Sequence, residues 1–357
     1  MLSKAFGSLA LVAALAQVAT AASPLPVIFF HGATGDKTNG ATIERNLTGD
    51  GRTFVALDFC EKACSVKTSI EDQVQGAIKQ IRAIVKADTR FSAGYHFLAH
   101  SQGGSVARGV VEEMDDHKVH TFISMAGDGN GIFYGPQASD QTPLQVLLQA
   151  LGPFAIASSD FNFSTYAANS NSWGGKFQRD FTELVTTRRD LQQSNAIINT
   201  FRPPLKGASA AAWLATGSFL PKVNNLENCG ANAACTREQL RRKTNFLKLS
   251  AAHFFASPQD DVQAPWQTCI LGKYADVSQL SDVETKFSSL AIVDMKHTAE
   301  YEQDLYGLKT LDKAGRLHLH TVPDVGHNCW LFDYVPVGKT ATCVHDPIYS
   351  KHIYPLL

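Results

Sequence analysis

Net charge is almost absent: 32 lysines and arginines face 33 aspartates and glutamates, a formal balance of −1. No basic excess is available to neutralise a polyanion, so nucleic acid is not an expected partner, nor is an anionic membrane surface. Long apolar runs are missing beyond the N-terminus. Gln145–Ser158 comes nearest, and Gln149, Gly152 and Pro153 interrupt it, so no transmembrane segment is expected. No C-x-x-C pair occurs among the seven cysteines, so a zinc site is not expected either. Internal repeats and charge blocks are also lacking. What remains is ordinary globular material, 44% hydrophobic and 18% charged over 357 residues, enough for one large α/β domain with a sizeable core.

The N-terminus is the one apolar exception. Lys4 precedes a run of Ala, Leu and Val from Gly7 to Val18, and Ala19-Thr20-Ala21 offers small residues for cleavage. The run is shorter than the roughly 20 residues that span a bilayer, so residues 1–21 read as a secretory signal and 22–357 as the mature chain. Cysteine spacing agrees with an oxidising compartment. Cys60 with Cys64, Cys229 with Cys235 and Cys329 with Cys343 would each staple a short loop, leaving Cys269 free and buried. Asn46-Leu47-Thr48 and Asn162-Phe163-Ser164 are glycosylation acceptors, as in a secreted chain.

Strand and helix patterns alternate along most of the sequence, which predicts an α/β fold with a mostly parallel sheet flanked by helices. Apolar runs at Pro26–Phe30, Thr53–Leu57, Phe97–Ala99, Thr121–Ala126 and Leu247–Ala256 read as strands, and Leu317, Leu319 and Thr321 alternate as a last one. Ile70, Val74, Ile78, Ile81 and Val85 recur at helical spacing. The alternation fails from about Tyr134 to Thr244. That stretch is too long for a loop and reads as a largely helical cap insertion, with Gln145–Leu151 and Trp173–Leu191 as its best helices.

The chemistry is centred on Phe97-Leu98-Ala99-His100-Ser101-Gln102-Gly103-Gly104, followed by Val106, Val110, Val111 and Met114 at helical spacing. A strand, a tight turn of small residues and a helix make the context of a nucleophile elbow. Such a turn holds the serine hydroxyl above the sheet and aims the next N–H, from Gln102, at the reacting atom. Taken alone, the pattern equally suits a serine that caps a helix. Two later loops supply what an elbow serine needs. Leu247–Ala256 runs into Ser257-Pro258-Gln259-Asp260-Asp261, and the last strand runs into Pro323-Asp324-Val325-Gly326-His327. Serine, acid, histidine is the chain order of α/β hydrolases. His327 would take the proton of Ser101, and Asp260 or Asp261 would steady the imidazolium. His31-Gly32-Ala33-Thr34-Gly35, after the first strand, would offer the second oxyanion N–H from Ala33. His31 and His100 precede the sharp turns and read as supporting groups.

These residues resemble the palmitoyl-protein thioesterases of the lysosome, along most of the mature sequence outside the cap. His31–Asp36 is similar to the family's first loop and Ser101-Gln102-Gly103-Gly104 to its elbow. Asp260–Gln267 is similar to its acid loop, Tyr301–Leu317 to its run into the last strand, and His352–Leu356 to its C-terminus. The resemblance implies an α/β-hydrolase fold and favours Asp260 over Asp261 as the acid. It also implies hydrolysis of long-chain fatty acyl thioesters on protein cysteines, in a lysosome-like compartment or outside the cell. The expected substrates are S-acylated proteins or peptides and fatty acyl thioesters. No metal or organic cofactor is expected, because nucleophile, base and oxyanion donors are all protein groups. A monomer is expected. An apolar trough for the acyl chain is expected beneath the cap, lined by Leu144–Phe163. Three features depart from the family: Ala99 stands for the elbow's first glycine, the cap is longer, and residues from about Asn328 to Tyr349 form an insertion tied by Cys329 and Cys343. The alternatives on the same fold are a secreted lipase or carboxylic esterase and a short-acyl thioesterase. A catalytically inert lipid binder is a third, which the complete serine, acid and histidine set disfavours.

Overall fold

A computed structural model describes residues 24–167 and 170–357, with the side chains of 170–173 left aside. The expected signal segment, 1–21, lies outside the described residues. Six strands form one sheet: β1 Val27–Phe30, β2 Phe54–Ala56, β3 Tyr95–His100, β4 Val119–Met125, β5 Ala251–Ala256 and, after a separate two-stranded pair, β8 Leu317–Thr321. The order is β2-β1-β3-β4-β5-β8, and every neighbouring pair is parallel. This is the α/β-hydrolase architecture. The central strands are buried from end to end because helices cover both faces of a parallel sheet. Period-two geometry then divides each strand between two cores. Ile28, Phe30, Phe97, Ala99 and Phe122 face one, and Val27, Phe29, Leu98, Ile123 and Met125 face the other.

Three helices belong to the sheet's covering layers at its N-terminal half: α1 Ala41–Gly49, α2 Ile70–Ala87 and α3 Gln102–Glu113. Ser69 caps α2 by accepting from Asp72 N, and the periodic Ile70, Val74, Ile78 and Ile81 are buried as the spacing requires. α2 lies close against α3: a Cβ added at Gly109 would stand 2.5 Å from Val74 Cγ2. The apolar run Leu247–Ala256 is a strand only from Ala251. Leu247 and Leu249 are drawn into a turn that closes the preceding helix, where Leu249 N donates to Phe246 O at 3.3 Å. Burial kept these residues apolar, and an apolar run cannot by itself separate a buried turn from a strand.

The chain between β4 and β5 is mostly helical. Gln141–Val146 continues through Leu147–Leu151 to Gly152–Ala155, and α4 spans Ser170–Thr187 before the chain turns at Arg188. Its core is aromatic: Phe161, Phe163, Tyr166, Phe177 and Phe181 pack ring against ring, with centroids 5.0–6.3 Å apart. The last helix of the stretch, α5 Ala233–Phe246, sits beside α3, where Asn245 Nδ2 donates to Glu112 O at 2.9 Å. After β5 come the antiparallel pair β6 Lys273–Tyr274 and β7 Ile292–Val293, with α6 Leu280–Thr285 between them. Arg179 of α4 pairs with Glu284 of α6 at 3.0 Å, so this later segment joins the same helical layer. Two-residue strands carry no periodicity, which is why the sequence shows no sign of them.

Cys60–Cys64, Cys229–Cys235 and Cys329–Cys343 stand at disulfide distance, with Cα atoms 5.1, 5.4 and 5.9 Å apart. Cys269 is a buried thiol. Asn46 and Asn162 are exposed. Among the described residues, no helix is long and apolar enough to cross a membrane.

Candidate active site

β3 ends at His100, α3 begins at Gln102, and the single residue between them must reverse the chain. Ser101 does so at φ 56°, ψ −134°, a region nearly reserved for glycine and costing about 1–3 kcal/mol. Neighbouring contacts hold it there. Ser101 N donates to Met125 O at 3.0 Å, and Gly104 N donates to Ser101 O at 2.8 Å. Small residues are needed because the turn is crowded. A Cβ at Gly103 would stand 2.5 Å from the carbonyl oxygens of both Phe30 and His31, and one at Gly32 would stand 2.8 Å from Ser101 Cβ. Ala99 fits without strain because it is still within β3, paired with Phe30 on one side and Ser124 on the other.

Three side chains from the segments that follow β3, β5 and β8 meet above this turn. His327 Nε2 lies 2.9 Å from Ser101 Oγ, and His327 Nδ1 lies 3.0 Å from both carboxylate oxygens of Asp260. All three residues are buried. Asp260 Oδ1 also accepts from Val262 N at 2.9 Å and Gln263 N at 2.8 Å, which fixes the carboxylate's orientation. Asp261 points elsewhere, accepting the backbone N–H of His327 at 2.8 Å. Burial pulls the His327 imidazole down, but the Asp260 carboxylate beside it more than offsets this and leaves the pKa above the usual histidine range. His100 donates from Nε2 to His327 O at 2.8 Å, and burial holds its own pKa down to about 3, so it stays neutral.

The side where the sequence places the oxyanion donors is tied together by a residue the sequence did not single out. Thr34 N donates to Ser65 Oγ at 2.8 Å, and Gln102 Nε2 donates to Ser65 O at 2.7 Å and Gln73 Oε1 at 3.1 Å. Ser65 follows Cys64, so the Cys60–Cys64 loop clamps the loop carrying Ala33 to the first residue after the elbow. Nothing in a lone serine next to a cysteine marks that role; only the long-range contacts show it. Asp128 was likewise unmarked. It is buried after β4, accepts from Ser105 Oγ at 2.6 Å, and burial pushes its carboxyl up to about 6.

A cavity of about 250 Å³ opens at Ser101, bounded by the loop 32–35, by His100 and His327, and by Val146, Leu151, Val262, Leu331 and Phe332. Val146 and Leu151 come from the stretch expected to line an acyl trough; Leu144, Leu147, Leu148, Ile156 and Phe163 pack into the core instead. A larger cavity, about 390 Å³, shares no lining residue with this one. Two ion pairs line it, Arg202 with Glu300 at 2.6 Å and Lys273 with Asp276 at 2.5 Å. No group of three His, Cys, Asp or Glu among the described residues is suited to hold a metal ion.

A strained serine, a histidine at hydrogen-bond distance and a carboxylate behind the histidine suit nucleophilic attack on an acyl carbon. Sequence comparison with known proteins points the same way. The family model described as palmitoyl protein thioesterase matches residues 26–327. Lysosomal thioesterase PPT2-B of Xenopus laevis is 28% identical over 238 residues, covering 66% of this chain and 64% of that protein, just under two thirds of its length. Lysosomal thioesterase PPT2 of Homo sapiens is 26% identical over 311 residues, covering 87% and 84%. Palmitoyl-protein thioesterase 3 of Dictyostelium discoideum is 21% identical, covering 88% and 89%. Among solved structures, a Paleococcus ferrophilus monoacylglycerol lipase aligns over 85% of this chain and 86% of its own, at 11% identity and a TM-score of 0.37.

Proposed function

The chain belongs to the palmitoyl protein thioesterase family, and from that premise we propose that it hydrolyses long-chain fatty acyl thioesters, with S-acylated proteins or peptides as substrates. The observation that carries the reading is the contact chain from Ser101 Oγ through His327 to Asp260, built on the strained turn. Ser101 Oγ attacks the thioester carbonyl while His327 Nε2 takes its proton. Asp260 holds the imidazole in the tautomer that presents a free Nε2 and stabilises the imidazolium that forms. Backbone N–H groups of Ala33 and Gln102 receive the developing oxyanion. Collapse expels the thiol, protonated by His327, and leaves an acyl ester on Ser101. Water then attacks that ester with His327 again as base, releasing the fatty acid and restoring the serine.

The apolar residues at the mouth, Val146, Leu151, Val262, Leu331 and Phe332, suit an acyl chain, whose burial is worth about 0.8 kcal/mol per CH₂. On this reading the enzyme works as a monomer in the secretory pathway, in a lysosome-like compartment or outside the cell; the paired cysteines support the secretory route and the relatives' names the lysosome-like one. The test is a series of acyl thioesters on purified protein, each set against its oxygen ester. Catalytic efficiency should rise with acyl length from about C6 to C14–C16, and the thioester should be preferred. A maximum at the shortest chains would make the protein a short-acyl thioesterase. Preference for the oxygen ester would make it a lipase or carboxylic esterase.

A further inference from the structure

Two adjacent carboxylates follow β5, and both contact His327, one at the ring and one at the backbone. Asp260 meets the imidazole. Asp261, also buried, accepts the backbone N–H of the same histidine at 2.8 Å. Its second oxygen is engaged as well: Oδ2 accepts from Tyr334 Oη at 2.8 Å and from Val337 N at 2.6 Å. Tyr334 and Val337 lie in a hairpin-like segment closed by an antiparallel bridge, Tyr334 N to Cys343 O at 3.0 Å and Cys343 N to Tyr334 O at 2.7 Å. The Cys329–Cys343 bond returns that segment to the turn that carries His327. Pro336 packs over Gly326, where an added Cβ would stand 2.5 Å from Pro336 Cγ.

We propose that Asp261 is a positioning residue for the reaction, fastening the backbone of His327 to the segment Tyr334–Cys343 so that this C-terminal insertion sets where the imidazole stands. The physical need is plain. β8 ends at Thr321, six positions before His327, so the sheet's own ladder does not reach the histidine. Its peptide is instead gripped at both ends, N–H by Asp261 and C=O by His100. Both oxygens of a carboxylate can accept, so Asp261 takes all three of these hydrogen bonds, whereas the nitrogen of an asparagine amide would face a donor with nothing to accept. The groups that bear electrostatically on the imidazole are Asp260, Asp261 and Asp128, with His100 against its backbone.

The inference rests on the proposed role of Ser101 and His327 but not on the identity of the acyl substrate, so the readout is labelling of Ser101 by a fluorophosphonate. Asp261→Asn should slow labelling by about 10- to 100-fold, the scale of a misplaced catalytic group. It should also move the acid limb of the labelling rate to lower pH, because one of the negative charges that raise the His327 pKa is gone. Tyr334→Phe should slow labelling by a few-fold in the wild-type background and add little in the Asp261→Asn background, since both changes break one contact. Removal of the remote Cys229–Cys235 pair should leave the rate unchanged. Circular dichroism reports folding; if Asp261→Asn does not fold, Tyr334→Phe carries the test alone, and a wild-type rate in it overturns the proposal. So does an Asp261→Asn rate within two-fold of wild type with an unmoved acid limb. Wild-type protein that labels at Ser101 yet turns over no acyl thioester would sink the substrate reading and leave this one standing. Wild-type protein that does not label would sink both.

Discussion

At the scale of single residues, neighbouring side chains of like type have separate duties, and the separation is testable. Ser101→Ala should reduce turnover by up to about 10⁶-fold while leaving fold and secretion intact, since one hydroxyl is lost from a turn held by backbone contacts. Asp260→Asn keeps the shape but loses the charge facing Nδ1, and should cost about 10⁴-fold in rate; steady-state kinetics with an acyl thioester measures both, and retention of more than a few per cent of activity in Ser101→Ala would reject it as nucleophile. His327 supplies a pH prediction. Its pKa is raised, and it accepts the serine proton only when neutral, so activity should fall as pH drops through a value above the ordinary histidine range. The acid limb of kcat/KM should therefore lie above about 6.5, and Asp260→Asn should lower it in whatever activity remains. A wild-type limb near pH 5 would contradict the electrostatics of this site.

At the scale of elements, the elbow works because β1, β3 and α3 approach one another at glycines, and two of these differ in what surrounds them. An alanine Cβ at Gly103 meets two backbone carbonyl oxygens at 2.5 Å, and neither can move without displacing the end of β1. At Gly104 the nearest atom is Ser124 Oγ at 2.6 Å, a hydroxyl that can rotate away, with Gly127 Cα at 3.2 Å behind it. Gly103→Ala should cost about 1–3 kcal/mol of stability, as overpacking does, and most of the activity, because it also displaces the serine. Gly104→Ala should be the milder change on both counts. Thermal unfolding and phosphonate labelling of the two variants would show the order; equal effects would mean that β1 yields more easily than its backbone contacts suggest. The same crowding explains why small residues around a serine were readable as an elbow. The clamp from Ser65 was not, because its partners lie 31 and 37 positions away.

At the scale of the whole molecule, buried titratable groups of two kinds oppose each other across the acidic range. Burial lowers His96, His117 and His253 to about 4 and His100 to about 3. Between pH 6.5 and about 4 the unfolded chain protonates these histidines and the folded one does not, so stability is lost as pH falls through that window. Burial raises Glu71 and Glu112 to about 7 and Asp128 and Asp140 to about 6. Over nearly the same window the folded chain now binds the extra protons, and stability is gained as pH falls. The two sets largely offset. Calorimetry should find a thermal midpoint that shifts by less than about 10 °C between pH 7 and pH 4.5, then drops steeply as carboxylates held low by their partners, such as Asp304 beside Lys243, are protonated. A continuous steep fall from pH 7 would mean that the histidines dominate, and would weigh against residence in an acidic compartment.

Local patterns in the sequence determined the strands of the main sheet to within a few residues, the elbow turn and the order of serine, acid and histidine, because each depends on residues within a few positions of one another. Period-two burial, helical spacing and small residues at a sharp turn are all consequences of backbone geometry that leave a mark in the chain itself. Cysteine spacing marked the disulfide pairs for a similar reason, since short loops bring the sulfurs close whatever the rest does. Only the tertiary structure decided which of Asp260 and Asp261 meets the imidazole, since both leave the same strand end and the turn after Ala256 settles which carboxylate faces Nδ1. It alone showed which apolar residues of the helical layer line the cavity and which pack among themselves, because burial in a core and burial against a substrate select the same side chains.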